Sequence, residues 1–171
     1  MRPIALILAV SFAGGPAAAQ SWKEYAYPGD AFSVAFPADP KVETTTYQTA
    51  DGRPAEARVY SVSQDGGVFR ITVADLPDPA MTETAVLDHA VRTLSQGGEI
   101  KVDIPHRISR VYGRQLSIAA PDGSRSSVAV FYHKRRLYQI EGTALPSANN
   151  ATSDAIRFQQ SLSFTDDTTN R

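Results

Sequence analysis

Alternating apolar and polar residues cover much of the chain, a pattern typical of half-buried β-strands. In the first such segment, Phe32, Val34 and Phe36 share one face. Asp51-Gly52 lies between two of the segments, and Asp-Gly pairs favour tight hairpins. We therefore predict that the first third of the chain is an antiparallel meander. Its strands are predicted at residues 31–36, 41–49, 57–63 and 68–74.

A segment in the middle of the chain has the period of an α-helix, with its apolar residues on a single stripe that suits packing on a sheet. Thr82 or Thr84 can cap its start, and Gly97 is suited to the position after its end. Asp88 and Arg92 lie one turn apart on the opposite face. The helix is predicted at residues 82–96, with Val86, Leu87, Ala90, Val91 and Leu94 as its stripe.

The alternation of apolar and polar residues returns after this helix and predicts two more strands. In the first of them, Ile100, Val102 and Ile104 are expected to face one way, and Pro105 fits an edge position or a strand end. These strands are predicted at residues 99–108 and 111–118.

Residues 126–143 give the strongest strand–turn–strand pattern in the sequence. With Lys134 and Arg135 as the turn, three cross-strand pairs follow from the two-residue period. Neither turn residue is the Gly or Asn that a tight hairpin prefers. The predicted pairs are Phe131 with Tyr138, Ala129 with Ile140 and Tyr132 with Leu137.

A second helix is predicted at residues 148–162, with Ser147 or Asn150 as its cap. Its narrow apolar stripe consists of Ala151, Ala155, Phe158 and Leu162. The order of strands, helix, strands and helix predicts an α+β fold. We expect one domain with a mostly antiparallel β-sheet flanked by two main helices.

The N-terminus has the features of a secretory signal peptide. A short basic start precedes the apolar run from Ile4 to Phe12, and Ala17-Ala18-Ala19 supplies the small residues of a cleavage site. The run is too short to span a bilayer. We therefore predict a signal peptide at 1–19, a domain at 20–164 and a polar flexible tail at 165–171, with the mature protein soluble and periplasmic or secreted.

Composition excludes several classes of protein. The chain has no cysteine, which rules out disulfides, thiolate metal sites, a cysteine nucleophile and a lipoprotein anchor. Removal of Arg2 with the signal leaves 16 basic against 18 acidic residues, a net charge of −2. This balance gives no reason to expect nucleic acid or an anionic membrane as a partner.

No catalytic or cofactor motif is present in the sequence. His89, His106 and His133 lack the spacing of a zinc site. There is no Gly-x-Ser-x-Gly elbow, no Ser-x-x-Lys and no phosphate-binding glycine loop. Asp75 and Asp78 flank Leu-Pro and are interpreted as turn formers. We predict no enzyme activity, no cofactor and no metal.

The unusual surface feature is the basic hairpin tip, which consists of His133, Lys134, Arg135 and Arg136. One interpretation is a solvated tip that prevents edge pairing. The other is a cationic patch that docks an acidic envelope or secreted protein.

Four short motifs resemble those of small exported proteins with the PsbP-like fold, the α/β/α sandwich of the extrinsic P subunit of photosystem II and its relatives. The resemblance covers nearly all of the chain after the signal and implies a non-enzymatic binding or assembly factor. It carries over no functional-site residue. A small-ligand carrier with a closed apolar cavity, or a hydrolase with an unrecognised site, are the alternatives. The motifs are Phe32-Ser-Val-Ala-Phe-Pro, Tyr112-Gly-Arg-Gln-Leu, Arg136-Leu-Tyr-Gln-Ile and Ser161-Leu-Ser-Phe.

Overall fold

The computed structural model describes residues 22–146, 148 and 151–165. The predicted signal peptide, the candidate caps Ser147 and Asn150, and the predicted tail beyond Thr165 lie outside these residues. The strands are β1 Lys23–Tyr27, β2 Phe32–Phe36, β3 Lys41–Gln48, β4 Pro54–Gln64, β5 Gly67–Asp75, β6 Glu99–Ile108, β7 Val111–Ala119, β8 Arg125–His133, β9 Arg136–Ala144 and β10 Ser163–Phe164. The helices are α1 Glu83–Ser95 and α2 Ala151–Gln160, and Pro28–Asp30 forms a 3-10 turn.

Seven strands form one antiparallel sheet in the order β3-β4-β5-β9-β8-β7-β6. Short turns join β3 to β4, β4 to β5, β6 to β7, β7 to β8 and β8 to β9, so neighbours in sequence are neighbours in the sheet. The pairing of β5 with β9 connects the two groups of hairpins. The predicted α+β class and the mostly antiparallel sheet are confirmed.

The predicted meander is wrong in its first strand. β2 does not pair with β3, and instead lies between β1 and β10 in a separate three-stranded sheet. Its Phe32, Val34 and Phe36 are fully buried against the large sheet and α2. The short alternating pattern predicts a strand but does not say which strand will pair with it. Strands β1 and β10 were not predicted.

Two apolar cores lie on opposite faces of the large sheet, which gives the layered α/β/α arrangement. On one face, α1 buries its predicted stripe, with Ala90 fully buried against strands β7 and β8. On the other, α2 and the small sheet pack over β5, β8 and β9, where Phe158 is fully buried. α2 approaches β9 closely, because a Cβ added at Gly142 would lie 2.4 Å from the carbonyl oxygen of Ala155.

The predicted common face of Ile100, Val102 and Ile104 is wrong. The pairing of β6 with β7 shifts between Ile100 and Val102, which is the signature of a β-bulge. The extra residue turns the following side chains to the other face of the sheet. Ile100 packs into the core under α1, whereas Val102 and Ile104 stay 42% and 47% exposed on the α2 side.

Helix α1 begins as predicted, and Thr82 is its cap: the Thr82 hydroxyl accepts a hydrogen bond from the Ala85 amide at 3.3 Å. Asp88 does not form its ion pair with Arg92, the arginine one helical turn away. It binds Arg114 of β7 at 2.8 Å and so joins the helix to the sheet. Neither helix in the described ranges is long and apolar enough to cross a membrane.

Candidate functional site

The predicted basic hairpin joins β8 to β9, two inner strands of the large sheet. All three predicted cross-strand pairs are confirmed. Lys134 and Arg135 both have positive φ, 48° and 60°, which is the backbone of the type I′ turns that favour hairpins. Such a turn prefers Asn and Gly because other side chains meet the backbone in this conformation.

Contacts on both sides fix this tip to the body of the protein. The main-chain oxygen of Arg135 accepts a hydrogen bond of 2.8 Å from the Leu76 amide, and its guanidinium approaches the carbonyl oxygen of Pro77 at 3.5 Å. The ring of His133 lies 5.4 Å from the ring of Phe164 in β10. The tip is therefore held rigidly while the side chains of Lys134 and Arg135 are exposed.

Arg136, the fourth residue of the predicted patch, has a structural role. Its Nε donates to the Asp75 carboxylate at 2.8 Å, and its Nη1 donates to the Gly29 carbonyl at 2.9 Å. The Asp75 carboxylate balances the charge of Arg136, and the Gly29 carbonyl fixes the position of its guanidinium. Lys134 and Arg135 are thus the members of the patch that present cationic groups at the surface of the turn.

Arg136 belongs to a cluster of ionic residues that the sequence did not predict. Asp30, at the end of the 3-10 turn, is only 5% exposed and binds Arg58 through both carboxylate oxygens, at 2.9 and 2.8 Å. Tyr60 also donates to this carboxylate. Arg58 continues to Asp75 at 2.8 Å. We call these five residues, Asp30, Arg58, Tyr60, Asp75 and Arg136, the Asp30 cluster.

The electrostatics of the cluster favour an ionised Asp30. Burial alone would raise the pKa of its carboxyl group, but hydrogen bonds from Arg58 and Tyr60 and the charges of the two arginines outweigh that effect. The pKa of Asp30 is therefore below its usual value. Burial and the same hydrogen bond raise the pKa of Tyr60, so the phenol remains a donor.

Two open clefts flank the cluster. One, of about 460 Å³, is lined by Gly29 and the cluster itself. The other, of about 290 Å³, lies next to it and contains Asp78 and Arg53. Arg53 binds both Asp51 and Asp78, which lowers the pKa of Asp51 to about 2 and lowers that of Asp78 as well. A general acid needs a raised pKa, so Asp51 and Asp78 lack the property expected of one.

Asp75 and Asp78 differ in role, although the sequence interpreted both as turn formers. Asp78 accepts the Ala80 amide at 2.8 Å, which is a turn-forming bond. Asp75 ends β5 and binds Arg58 and Arg136 instead.

A second basic turn lies at the same end of the sheet. The β6–β7 turn contains Ser109, with φ of 54°, and Arg110. Arg107 lies 5.9 Å above the ring of the exposed Tyr112. Since β7 pairs with β8 from Gly113 onward, this turn is a near neighbour of the Lys134-Arg135 turn. The end of the sheet therefore presents cations from two adjacent hairpins.

The three histidines lie on separate elements. His89 of α1 donates from Nε2 to the Gln48 carbonyl of β3 at 2.8 Å, and His106 of β6 packs 5.6 Å from the Phe131 ring. Burial lowers the pKa of His106. Among the described residues, no three His, Asp or Glu side chains come together as a metal would require.

The architecture defines the class of fold: one antiparallel sheet between a helix on one face and a helix with a small sheet on the other is the PsbP-like sandwich. A solved structure with a similar fold is that of cyanobacterial PsbP (CyanoP) from Synechocystis sp. PCC 6803, a solution structure that matches this chain with a TM-score of 0.57. The match covers 88% of this chain and 96% of that chain, at 12% sequence identity. The predicted PsbP-like fold is thereby confirmed. The sequence matches no protein-family profile and no curated protein sequence.

Proposed function

We propose that this protein is an exported, non-catalytic binding or assembly factor that docks an acidic protein partner through its basic hairpin tip. The observation that carries the proposal is the backbone of the tip. Lys134 and Arg135 both occupy the left-handed region, which costs a residue other than glycine about 1 kcal/mol. Asn-Gly would form the same turn at lower cost. Docking to an acidic partner requires positive charge, and this requirement would explain why Lys and Arg occupy a turn that favours Asn and Gly.

The setting of the tip suits docking. Bonds from Leu76 and the packing of His133 hold it in place, so a partner would not have to order it on binding. Arg110, in the neighbouring turn, widens the cationic surface. Charge complementarity of this kind steers association and selects acidic partners.

The alternatives of a ligand carrier and a hydrolase have less support. The space between sheet and α2 is filled by aromatic rings, and Phe131, Tyr138 and Phe158 are buried there. A carrier would need that space for its ligand. Asp30 and Asp78, which line these clefts, bind Arg58 and Arg53, and these contacts lower the pKa of both carboxyl groups.

Export is the second part of the proposal, and it rests on the signal-like residues 1–19. Intact-mass measurement of protein recovered from the export compartment tests it directly. The expected mass is that of a chain that begins near Gln20. Recovery of the full-length chain only would show that the segment is not cleaved.

The docking surface can be tested by photo-crosslinking in cells from position 134, with position 92 on the exposed face of α1 as a matched control. We expect a defined partner with an acidic surface at positions 133 and 134, and not at position 92. Lys134→Glu with Arg135→Glu should abolish the crosslink from the neighbouring position 133 and leave the melting temperature nearly unchanged. Arg92→Glu with Arg125→Glu, which changes the net charge equally, should leave the crosslink intact.

The proposal fails if position 134 captures the same proteins as position 92. It also fails if both charge reversals weaken the crosslink equally, since that would indicate a general charge effect rather than a docking surface.

A further inference from the structure

The two edges of the large sheet differ in how well they are protected. β6, at one edge, carries a bulge between Ile100 and Val102 and a proline at position 105. Charged side chains, such as Lys101 and Arg107, occur along its length. Bulges, prolines and charges are the devices that prevent a sheet edge from pairing with another strand. This edge is therefore closed to further pairing.

β3, at the other edge, has none of these devices except two charges at one end. Its pairing with β4 runs without a shift from Lys41 opposite Ser61 to Gln48 opposite Pro54. All of its residues but Tyr47 are exposed, and it contains no proline. Its charged side chains, Lys41 and Glu43, bind each other at 2.7 Å. An eight-residue strand of this kind is a template for one more strand.

The edge is also held in a fixed shape. His89 of α1 binds the Gln48 carbonyl, and its ring lies edge-on to Tyr47 with 6.0 Å between the ring centres. The following turn is fixed by Thr49, whose hydroxyl accepts the Arg53 amide at 3.1 Å. A strand that is already ordered loses little entropy when a second strand pairs with it.

We propose that β3 pairs with β3 of a second copy of this chain, antiparallel and related by a two-fold axis near Thr44. In this register Lys41 lies opposite Tyr47 of the second copy and Glu43 lies opposite Thr45, so no like charges face each other. The central residues are threonines, which suit cross-strand pairs.

The difference between the edges also explains why assembly would stop at two copies. Pairing through β3 joins two seven-stranded sheets and leaves β6 at both outer edges. Since β6 is protected, no third copy can add, and the contact is a closed two-fold interface rather than a filament. One strand pair buries little apolar surface, so we expect dissociation in the micromolar range.

Sedimentation equilibrium of the exported protein over a micromolar concentration series is the first measurement. We expect a monomer–dimer equilibrium. Thr44→Lys with Thr46→Lys should abolish it, because the lysine at position 44 then lies directly opposite the same lysine of the second copy. The matched control is Val102→Lys with Ile104→Lys on β6, which adds two lysines to the other edge and should leave the dimer unchanged. Thermal melts should show that both variants remain folded.

Amide hydrogen exchange gives a second readout. Exchange in β3 should slow as the concentration passes the dissociation constant, while exchange in β6 should not change. The proposal is overturned if the wild-type chain stays monomeric throughout the series. It is also overturned if the dimer survives the β3 substitutions, or if the β3 edge is protected by an extended segment of a different protein.

Discussion

Arg58 holds the buried carboxylate of Asp30 through its Nε, at 2.9 and 2.8 Å from the two oxygens, and through its Nη2 at 2.7 Å. The two residues belong to different layers. Asp30 ends the 3-10 turn before β2, and Arg58 lies on β4 of the large sheet. Tyr138 adds a bond from its hydroxyl to the Asp30 carbonyl at 3.0 Å. This contact therefore fastens the small sheet to the large one near the basic tip.

Asp30→Asn should lower the free energy of unfolding by about 3 kcal/mol, because it removes one charge of a buried pair and leaves the other without its closest counter-ion. Urea unfolding followed by circular dichroism measures this change. The slope of the transition should stay constant, which would show that the fold is the same.

Asp51→Asn is the matched control, since Asp51 also binds an arginine but lies at the surface. Solvent screens an exposed ion pair, so Asp51→Asn should cost much less stability than Asp30→Asn. Equal losses in the two variants would contradict the structural role that we assign to the Asp30 cluster.

The same pair predicts the response of stability to acid. The folded pKa of Asp30 is below the ordinary carboxyl value of 3.8. Its contribution is therefore complete above that value and is lost as the pH falls through the lower, folded pKa. The difference in unfolding free energy between the wild-type chain and Asp30→Asn should shrink as the pH falls below 3.8.

Urea titrations at a series of acidic pH values measure that difference. Other carboxylates with lowered pKa values, such as Asp51, are present in both proteins and cancel in the comparison. A difference that stays constant, or grows, with falling pH would show that Asp30 is not stabilised as a carboxylate.

Short sequence patterns predicted the features of the fold that residues close in sequence determine. The pairing register of the β8–β9 hairpin was predicted correctly, because the alternation on both arms and the two-residue turn allow one register. The bulge in β6 was missed, since one inserted residue leaves the composition of the strand unchanged and only reverses its faces. The place of β2 was missed because strand pairing depends on contacts that no short pattern contains.

In the candidate site, too, features built from neighbouring residues were predicted and features built from distant residues were not. The basic tip is continuous in sequence and was recognised as a patch. The Asp30 cluster was missed because its members come from four segments, and Asp75 and Arg136 are 61 residues apart. Asp30 lies in a short turn and Arg58 lies inside a strand, and neither local pattern indicates that the two side chains would meet.

Gly142→Ala should destabilise the protein by about 2 kcal/mol, because the new methyl group would lie 2.4 Å from the Ala155 carbonyl oxygen and force α2 away from β9. Urea unfolding measures this effect. Gly29→Ala is the control: no atom lies within 4 Å of a Cβ built there, so stability should hardly change. A tolerated Gly142→Ala would mean that α2 does not pack on β9 at this distance.

Lys134→Asn with Arg135→Gly separates the structural and functional roles of the basic tip. Both residues have positive φ, so Asn and Gly should relieve the strain and raise the free energy of unfolding by about 1 kcal/mol. The same change removes the two exposed cations and should weaken the partner crosslink, though less than the double charge reversal, which also repels the acidic partner. Urea unfolding and crosslinking from position 133 measure the two effects. A loss of stability would contradict the turn geometry, and an undiminished crosslink in a more stable protein would show that the cations are not the docking groups.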